Sequence, residues 1–473
     1  MVDDIKFGTD GWRAIIADHY TFENVGIVTQ AVARWLIDEE ITQNGVVIGY
    51  DARFLSRKFA EHAASVFAAM EVPVRMSDAI VPTPAVSAAA KHLDAVGVVI
   101  TASHNPPEWN GYKIKAPFGG SASPDQIAGI EEKLNHYDPS LQPNAFSGYL
   151  HNGMVRELNL LNGYLDLIRD SIDLDTIRSA GIRIAHDPMF GSGSTVLKEL
   201  LGESSMEIHG ERNPLFGGIA PEPMEKNLKE LSDTILEHEC DAGIANDGDA
   251  DRVGMVDEEG KFVDSHRILS LLAKYLYEKK GLEGTIVKTF STTTMLDKQA
   301  VSYGLPLEVT PIGFKYIAEK IRTGDVLVGG EESGGIAVKG YLPERDGIYI
   351  GLLVAEMMAT YGKPLSELVQ DLFEEFGMHA YYRNDLHTEE RKKRAMIDYC
   401  RSKNLTQIAG IGVKDWDFTD GIKHLMEDGS WLLVRPSGTE PVLRIYAEAD
   451  TREKAVSLVK DATQWVDKPE ILR

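Results

Sequence analysis

Cysteine is scarce in this sequence: only Cys240 and Cys400 occur among 473 residues. Two cysteines cannot form the disulfide framework of a small secreted protein, so a reducing cytoplasm is the expected compartment. Long apolar runs are missing too, since none approaches the ~20 residues that span a bilayer. The opening segment, MVDDIKFGTDGW, is acidic and lacks the apolar stretch of a secretory signal. These absences predict a cytoplasmic protein with no membrane partner.

Positive charge is also in short supply. The chain has 49 lysine and arginine residues against 73 aspartate and glutamate residues, a formal net charge of −24. This negative field repels phosphate backbones, which argues against nucleic acid as a partner. An anionic small molecule can still bind wherever basic side chains gather locally. Neither a Walker A sequence nor the G-x-S-x-G turn of acyl hydrolases occurs, so nucleotide hydrolysis and serine-hydrolase chemistry have no support.

A strand–polar turn–helix pattern occurs three times. The β-branched runs 46–51, 182–187 and 285–290 are each followed by polar residues that can cap a helix and by a helix-like stretch. Such units are typical of parallel α/β sheets. The region after residue 380 instead indicates a smaller α+β domain. We predict an α/β protein with three similar mixed-sheet domains and a smaller C-terminal α+β domain, spanning residues 1–150, 151–258, 259–372 and 373–473.

Each α/β unit holds a second apolar run that leads directly into an unusual polar segment. The runs 97–101, 242–246 and 326–330 are followed by ASHNPPEWNG, DGDADR and EESGG. Ligands of open α/β sheets bind beyond the carboxyl ends of the strands. We therefore expect the domains to surround one central cleft that these polar segments line.

The first polar segment places a serine at a stiff corner. In VVITASHNPPEWNGYKI, residues 98–114, Asn105 and Pro106 each precede a proline and are pushed away from helical angles. The chain must turn there, which fixes Ser103 near the strand tip. Ser103 is a candidate nucleophile, although a serine that closes a turn by hydrogen bonding would have the same setting. We expect His104 to be a local hydrogen-bonding or shaping residue.

The second polar segment alternates carboxylates with small residues. Asp247, Asp249 and Asp251 can converge on one hard cation and leave room for a phosphoryl oxygen, which suits Mg²⁺. Glu258 completes a match to positions 1, 3, 5 and 12 of a calcium loop. However, Arg252 stands at the sixth position, where that loop needs glycine, so magnesium is favoured over calcium. A solvated acidic loop is the remaining alternative.

Two further segments carry binding chemistry. The carboxylates of Gly329–Gly335, GGEESGG, can accept hydrogen bonds from sugar hydroxyls, or the segment can be a simple turn. RPSGTEP, residues 435–441, together with Arg444, has the donors of a phosphate clamp. Its alternative is a surface loop with a salt bridge. Two glycine-containing turns end in cations, FGTDGWR in Arg13 and TPIGFK in Lys315.

Taken together and in order, these segments resemble the α-D-phosphohexomutases, the family of phosphoglucomutases and phosphomannomutases. FGTDGWR is similar to the N-terminal loop of that family, TASHNPPEWNGYKI to its phosphoserine loop, DGDADR to its metal loop, GEESGG to its sugar loop and RPSGTEP to its phosphate loop. The resemblance covers essentially the whole chain. It implies an isomerase that transfers a phosphoryl group within hexose phosphates.

The resemblance also implies roles for individual residues. Ser103 would be phosphorylated, and its phosphoryl oxygen would bind Mg²⁺ together with Asp247, Asp249 and Asp251. Catalytic roles fall to Arg13, Lys113 and His104 besides the serine. Binding of the sugar or its phosphate falls to Arg252, Lys315, Glu331, Ser333, Arg345, Arg435, Ser437, Gly438, Thr439 and Arg444.

The reaction implied is the interconversion of hexose 1-phosphate and hexose 6-phosphate through glucose 1,6-bisphosphate, by a monomer or homodimer. The GFK turn before Lys315 resembles that of phosphoglucomutases and favours glucose. Mannose remains an alternative, and so does glucosamine, because FGTDG is similar to the opening of phosphoglucosamine mutases. One departure is Gly335, where dual-specificity members carry histidine; Arg345 is placed to compensate. The same departure leaves a phosphosugar-binding protein without turnover as the non-enzyme alternative.

Overall fold

The computed structural model describes residues 5–8, 10–403, 405–436 and 442–467. Four sheets follow one another along the chain, each covered by helices. The first three sheets mix parallel and antiparallel strands and the fourth is antiparallel. The predicted fold class, three mixed α/β units and a C-terminal α+β unit, is confirmed.

The first sheet is built around buried β-branched strands. Its strands are β1 (Trp12–Ile15), β2 (Val46–Tyr50), β3 (Val74–Ser77), β4 (Val96–Ile100), β5 (Trp109–Ala116), β6 (Gly120–Ser121) and β7 (Val155–Leu158), and its helices are α1 (Phe22–Asp38), α2 (Ser56–Ala69), α3 (Thr83–Leu93), α4 (Pro124–Lys133) and α5 (Phe146–Asn152). The order is β1-β5-β4-β2-β3-β7, with β6 paired to β5. Every residue of β2 and β4 is buried, as expected for central strands of a covered sheet. Because β7 pairs with β3, this sheet extends to Leu158.

The second sheet carries the acidic segment between two of its strands. Its strands are β8 (Ile184–Asp187), β9 (Ser205–Glu207), β10 (Ala242–Asn246), β11 (Val253–Asp257) and β12 (Phe262–Val263), in the order β12-β11-β10-β8-β9; its helices are α6 (Leu160–Ser171), α7 (Leu174–Ser179), α8 (Val196–Leu201) and α9 (Lys229–His238). The acidic segment connects β10 to β11, an antiparallel pair.

The third sheet has the order β14-β13-β15-β16. These strands are β13 (Thr285–Thr289), β14 (Leu307–Thr310), β15 (Val326–Gly330) and β16 (Ile336–Val338), and the helices are α10 (Ser265–Glu278), α11 (Met295–Tyr303), α12 (Phe314–Thr323), α13 (Gly347–Tyr361) and α14 (Leu365–Phe376). The sugar-loop segment connects β15 to β16. Its backbone is tied to the second unit, because Val253 N donates to the carbonyl oxygen of Gly334 (3.2 Å).

The fourth sheet is antiparallel, in the order β17-β22-β21-β20-β19-β18. Its strands are β17 (Ala380–His387), β18 (Gln407–Ile408), β19 (Ile411–Asp417), β20 (Ile422–Met426), β21 (Trp431–Pro436) and β22 (Val442–Ala449), and its helices are α15 (Glu390–Arg401) and α16 (Arg452–Trp465). Thr451 caps α16 by accepting a hydrogen bond from Lys454 N, as a threonine before a helix does.

One apolar core spans the first three units, the first unit has a second core of its own, and the fourth unit has a separate one. The shared core includes Val86 of α3, Ile244 of β10 and Leu269 of α10. The fourth unit meets the third through a smaller cluster in which Phe290 packs with Trp431. The strand ends of the first three units are therefore held in one scaffold. Within the described ranges, no helix is both long enough and apolar enough to span a membrane.

Candidate functional site

Three polar segments meet where β4, β10 and β15 end. Ser103 follows β4, Asp247 follows β10 and Glu331 follows β15, and all three residues are buried. Ser103 Oγ donates a hydrogen bond to Asp247 Oδ2 at 2.7 Å, although 144 positions separate the two residues. The hydroxyl at the predicted corner thus faces the acidic segment directly.

The serine loop holds an unusual backbone conformation. Ser103 has a φ of +53°, in the left-handed region that non-glycine residues seldom occupy. Its N–H donates to Thr101 Oγ1 (2.9 Å), and Thr101 Oγ1 donates to Asp51 Oδ2 (2.7 Å). The metal-loop backbone packs against this turn, since a Cβ on Gly248 would lie 2.5 Å from the Ser103 carbonyl oxygen. Only glycine allows the two loops to approach so closely.

The three aspartates of the acidic segment form a site that fits a divalent cation. Asp247, Asp249 and Asp251 are fully buried, and one carboxylate oxygen of each lies within 4.8 Å of the others. Among the described residues, the Oδ1 atoms of Asp249 and Asp251 are buried without a hydrogen-bond partner. Buried carboxylate oxygens without donors are costly, and a hard cation such as Mg²⁺ would satisfy them.

The second oxygens of Asp249 and Asp251 are held by one lysine. Lys113 Nζ lies 2.7 Å from Asp249 Oδ2, 2.8 Å from Asp251 Oδ2 and 2.7 Å from Asp10 Oδ2. Burial would raise the pKa of Asp249, but the charge of Lys113 and its hydrogen bond outweigh burial and keep that pKa below its usual range. For Asp247, burial and then the charges of Asp249 and Asp251 raise the pKa well above its usual range.

Arg345 joins the third unit to the first two. Its Nη2 donates to Asp251 Oδ2 (2.7 Å) and to Asp10 Oδ2, and its Nη1 lies 3.7 Å from Glu331 Oε2. The same side chain fills the space beside Gly335: a Cβ there would lie 2.3 Å from Arg345 Cδ. The position where dual-specificity members carry histidine is therefore packed against an arginine.

Two further groups at the site have shifted pKa values. Burial is the main cause that raises the pKa of Glu331 to about 7, against the opposing charge of Arg345. Burial, followed by the charges of Arg252 and Arg13, holds the pKa of His104 well below its usual range, so this imidazole is neutral at physiological pH. His104 Nδ1 lies 3.4 Å from Ser103 Oγ.

The remaining predicted cations of the first two units border the serine loop. Arg13, on β1, donates from Nη1 to Asn105 Oδ1 at 2.7 Å. Arg252 follows the aspartate trio, and its N–H donates to Asp247 Oδ1 (3.0 Å). Its guanidinium lies 3.7 Å from Glu222 Oε1. Both arginines are thus next to the Ser103–Asp247 contact.

Predicted residues of the third and fourth units lie around this centre at different depths. Ser333 lines a cavity of about 350 Å³ between the second, third and fourth units. Lys315 lines a smaller cavity of about 180 Å³ together with Asp10. Arg435 is the second-last residue of β21, pairs in register with Arg444 and donates from Nε to Asp420 Oδ1 (2.9 Å). Ser437, Gly438 and Thr439 lie outside the described residues.

Electrostatics link Arg435 to the sugar loop. Burial would lower the pKa of Arg435, but the hydrogen bond and charge of Asp420, with smaller contributions from Tyr446 and Glu332, raise it. Glu332 belongs to the same loop as Glu331 and Ser333. The charge of Glu332 in the segment that follows β15 therefore acts on Arg435 near the end of β21.

A second group of charged residues, next to the aspartate trio and Lys113, was not predicted from the sequence. Lys115 and Glu344 are buried and the side chain of Asp10 is only 7% exposed, with Lys115 Nζ 2.6 Å from Glu344 Oε2 and 3.6 Å from Asp10 Oδ1. One signal was available: Lys113 and Lys115 are two residues apart in a strand, so they share a face. Two lysines on one face of an otherwise apolar strand next to a serine corner indicate buried acidic partners.

Comparison with known proteins agrees with this geometry. Four family models match in order: Phosphoglucomutase/phosphomannomutase, alpha/beta/alpha domain I over residues 4–140, domain II over 162–260, domain III over 264–376, and the C-terminal domain over 390–464. The chain belongs to the phosphoglucomutase/phosphomannomutase family. The resemblance and the enzyme class predicted from the motifs, an intramolecular phosphotransferase acting as an isomerase, are confirmed.

Relatives match over nearly the whole chain. A Thermococcus kodakarensis protein named "Phosphoglucomutase/phosphomannomutase" is 31% identical over 459 residues, which are 95% of each chain. A Pyrococcus abyssi protein named "Probable phosphoglucosamine mutase" is 33% identical over 97% of each chain. The crystal structure of a "putative phosphomannomutase" from Thermus thermophilus superposes with a TM-score of 0.86 at 34% identity, covering 98% of this chain and 99% of that one. These names differ in the sugar, so they place the chain among phosphohexomutases without fixing the hexose.

Proposed function

We propose that this protein interconverts glucose 1-phosphate and glucose 6-phosphate through a phosphorylated Ser103 and a glucose 1,6-bisphosphate intermediate. The observation that carries the proposal is the contact of Ser103 Oγ with Asp247 Oδ2 at 2.7 Å, next to oxygens of Asp249 and Asp251 that have no hydrogen-bond partner in the described part of the chain. A nucleophilic hydroxyl, a cation site and buried lysine and arginine side chains then share one centre. Phosphoryl transfer depends on this combination of positioning and charge neutralisation.

Each half-reaction moves one phosphoryl group and one proton. A sugar hydroxyl oxygen attacks the phosphorus of phosphoserine, the P–Oγ bond breaks, and the hydroxyl proton ends on Ser103 Oγ. The bisphosphate then reorients in the cleft, its other phosphoryl group returns to Oγ, and the Oγ proton goes to the sugar oxygen that is released. Asp247 Oδ2 accepts the hydrogen bond of Ser103 in the unphosphorylated enzyme.

Lys113 acts in this scheme as a fixed cation. Burial lowers the pKa of Lys113, but Asp10, Asp249 and Asp251 raise it by more, so the ammonium keeps its proton. Arg13, a guanidinium, also stays charged. Both side chains offset the negative charge of the phosphoryl group. They also orient Ser103 Oγ and the sugar hydroxyl, between which the proton moves. A magnesium ion held by Asp247, Asp249 and Asp251 would supply further neutralisation of the phosphoryl oxygens.

The sugar and its second phosphate are assigned to the third and fourth units. Glu331 accepts hydrogen bonds from sugar hydroxyls, and Ser333 accepts hydrogen bonds from them or donates to them. Arg435 holds the phosphate that is not transferred, together with Ser437, Gly438 and Thr439 of the same loop. Arg252, Lys315 and Arg444 add positive charge around the dianion, which offsets the net charge of −24 locally.

Glucose is favoured by the GFK turn that ends in Lys315 and by Arg345, which fills the place beside Gly335. Mannose and glucosamine phosphates are the competing substrates, in keeping with the names of the relatives. The test is kcat/KM for the 1-phosphates of glucose, mannose and glucosamine, with Mg²⁺ and glucose 1,6-bisphosphate present. We expect the glucose value to be the highest. A higher value for either other sugar would transfer the assignment to that sugar.

Mass spectrometry of the purified chain tests the covalent intermediate separately. We expect a phosphate on Ser103 that disappears when sugar phosphate is added. A serine that never carries phosphate, even after incubation with glucose 1,6-bisphosphate, would support the alternative of a phosphosugar-binding protein.

The pKa of Glu331 predicts a pH dependence of sugar binding. With a pKa of about 7, Glu331 is ionised above pH 7 and protonated below it. The ionised carboxylate can accept hydrogen bonds from two sugar hydroxyls, which the protonated form cannot. At pH 6 about one Glu331 side chain in eleven is ionised, so KM should rise up to about tenfold from pH 8 to pH 6. Glu331→Gln should remove this step and leave only the titration of the substrate phosphate near pH 6. Equal KM profiles for the two proteins would contradict the assignment.

Gly335→Ala is predicted to displace Arg345. The new Cβ would lie 2.3 Å from Arg345 Cδ, whose guanidinium is tied to Asp10 and Asp251 and cannot easily withdraw. We expect kcat/KM to fall about tenfold or more, a loss comparable to one charge-assisted hydrogen bond. Gly163→Ala is the matched control, since a Cβ there meets nothing within 4 Å in helix α6. A drop of the same size in the control would remove the steric explanation.

A further inference from the structure

The loop that carries Ser103 is held by an arginine outside the five segments identified in the sequence. Arg53 follows β2 and is fully buried. Its Nη2 donates to the carbonyl oxygens of Ser103 (2.6 Å) and Asn105 (2.7 Å). Its Nη1 donates to those of Pro106 (2.8 Å) and Trp109 (3.1 Å). One guanidinium therefore gathers four carbonyl groups of the segment 103–109.

Asp51 fixes this guanidinium and reaches the same turn by a second route. Asp51 Oδ2 lies 3.1 Å from Arg53 Nε and accepts a hydrogen bond from Thr101 Oγ1. Thr101 Oγ1 in turn accepts the N–H of Ser103. The N–H and the carbonyl group of Ser103 are thus both anchored, one through Thr101 and one through Arg53.

These anchors act on the residue whose backbone is strained. Ser103 holds a φ of +53°, which an L-residue leaves readily unless its surroundings prevent it. Its carbonyl oxygen contacts Arg53 on one side and Gly248 of the metal loop on the other, where a Cβ would come within 2.5 Å. Without the Arg53 contact, the Ser103 carbonyl group, which lies between the serine loop and the metal loop, would no longer be held in place. Ser103 Oγ would then lose its fixed direction toward Asp247.

The contact also has an electrostatic consequence for a phosphorylated serine. Carbonyl oxygens carry partial negative charge and would repel a phosphoryl dianion placed beside them. Four of these oxygens are instead turned toward a buried cation. A lysine cannot replace it, because an ammonium has three donors and the guanidinium fork has five.

We infer that Arg53 is a positioning residue for phosphoryl transfer: it holds the backbone of the Ser103 loop in the conformation that aims Oγ at the metal loop. The inference rests on the proposed function of Ser103. Arg53 contacts neither the sugar-loop nor the phosphate-loop residues in the described ranges, so its loss should affect the chemical step and not sugar binding.

The test compares Arg53→Lys with Arg57→Lys in the full-length protein. Arg57 lies on α2, is about half exposed and pairs with Glu61 and Glu157, so its replacement should leave activity unchanged. For Arg53→Lys we expect kcat to fall about 30-fold while KM for the sugar phosphate stays within about threefold; at 1.36 kcal/mol per tenfold this is about 2 kcal/mol of barrier. The rate at which glucose 1,6-bisphosphate phosphorylates Ser103 should fall in parallel.

Guanidinium rescue separates positioning from general stability. Addition of guanidinium chloride at non-denaturing concentration should raise kcat of Arg53→Ala several-fold and leave Arg57→Ala unchanged.

Wild-type kcat in Arg53→Lys, or a fall in kcat matched by an equal rise in KM, would overturn the inference. The inference would also be overturned if both Arg53 variants failed to fold at the assay temperature while Arg57→Lys folded. Arg53 would then be needed for folding and not specifically for positioning the serine loop. Absence of turnover and of phosphoserine in the wild type would instead overturn the proposed function.

Discussion

Ser103→Ala is expected to abolish mutase turnover, lowering kcat by about 10⁴-fold or more while the protein stays folded. The side chain provides the only protein oxygen that the proposed mechanism phosphorylates, and no residual route through a phosphorylated enzyme remains. The substitution removes one hydroxyl that donates to Asp247 Oδ2 at 2.7 Å. The hydroxyl carries no charge, so its loss removes one hydrogen bond to Asp247 and no ion pair, and the melting temperature should fall by only a few degrees.

Two controls decide what this loss means. Ser123→Ala removes a serine of the same domain that caps α4, and should cost about 1 kcal/mol of stability with unchanged kcat. Isothermal titration of Ser103→Ala with glucose 6-phosphate should still give binding, because the groups assigned to the sugar and its phosphate are intact. Turnover in Ser103→Ala within tenfold of wild type would show that another group carries the phosphoryl intermediate.

Strand placement followed from local sequence because buried parallel strands have a distinct composition. The run 242–246 coincides with β10, and the run 326–330 with β15. Each strand ends where polar and small residues begin, so each polar segment lies at the carboxyl end of a strand in its own sheet. The contact of Ser103 with Asp247 joins two different sheets, so strand order does not predict it; it is implied by the resemblance of the two segments to the phosphoserine and metal loops of the family.

Contacts that depend on packing between domains could not be predicted in this way. Arg345 and Asp10 are 335 positions apart, and nothing in either segment specifies the other. Burial of Lys115 follows from its pairing with Glu344, a contact between the first and third units. Such long-range pairs depend on how three separate sheets assemble around a common core, which local periodicity does not encode.

Arg53 shows a second limit, within a single domain. Its position after β2 is typical of a turn, and an arginine in a turn is usually exposed. The serine loop covers it and presents four carbonyl groups inward. A side chain that binds backbone leaves no pattern in the partner sequence, because any residue supplies a carbonyl oxygen.

Asp249→Asn is expected to lower kcat about 100- to 1000-fold and to weaken metal binding at least about tenfold. Asp249 Oδ1 is one of the buried oxygens without a donor, while Oδ2 accepts from Lys113 and from Thr83 Oγ1 (2.5 Å). An amide of the same size removes one negative charge from the cation site and weakens the ion pair that orients Lys113. Wild-type melting temperature should rise on addition of Mg²⁺ by mass action, and this rise should be smaller in Asp249→Asn.

Arg435→Ala provides the contrast, because it is assigned to a phosphate that does not react. A contact made equally in the ground state and the transition state changes KM and leaves kcat alone. Loss of one charge-assisted hydrogen bond to phosphate, about 1.5 to 3 kcal/mol, should raise KM about 10- to 100-fold with kcat within about threefold. The rise of the melting temperature with Mg²⁺ should equal that of wild type. If both variants lost kcat alike, and neither changed the response to Mg²⁺, the division between a reacting centre at the trio and a binding contact at β21 would be wrong.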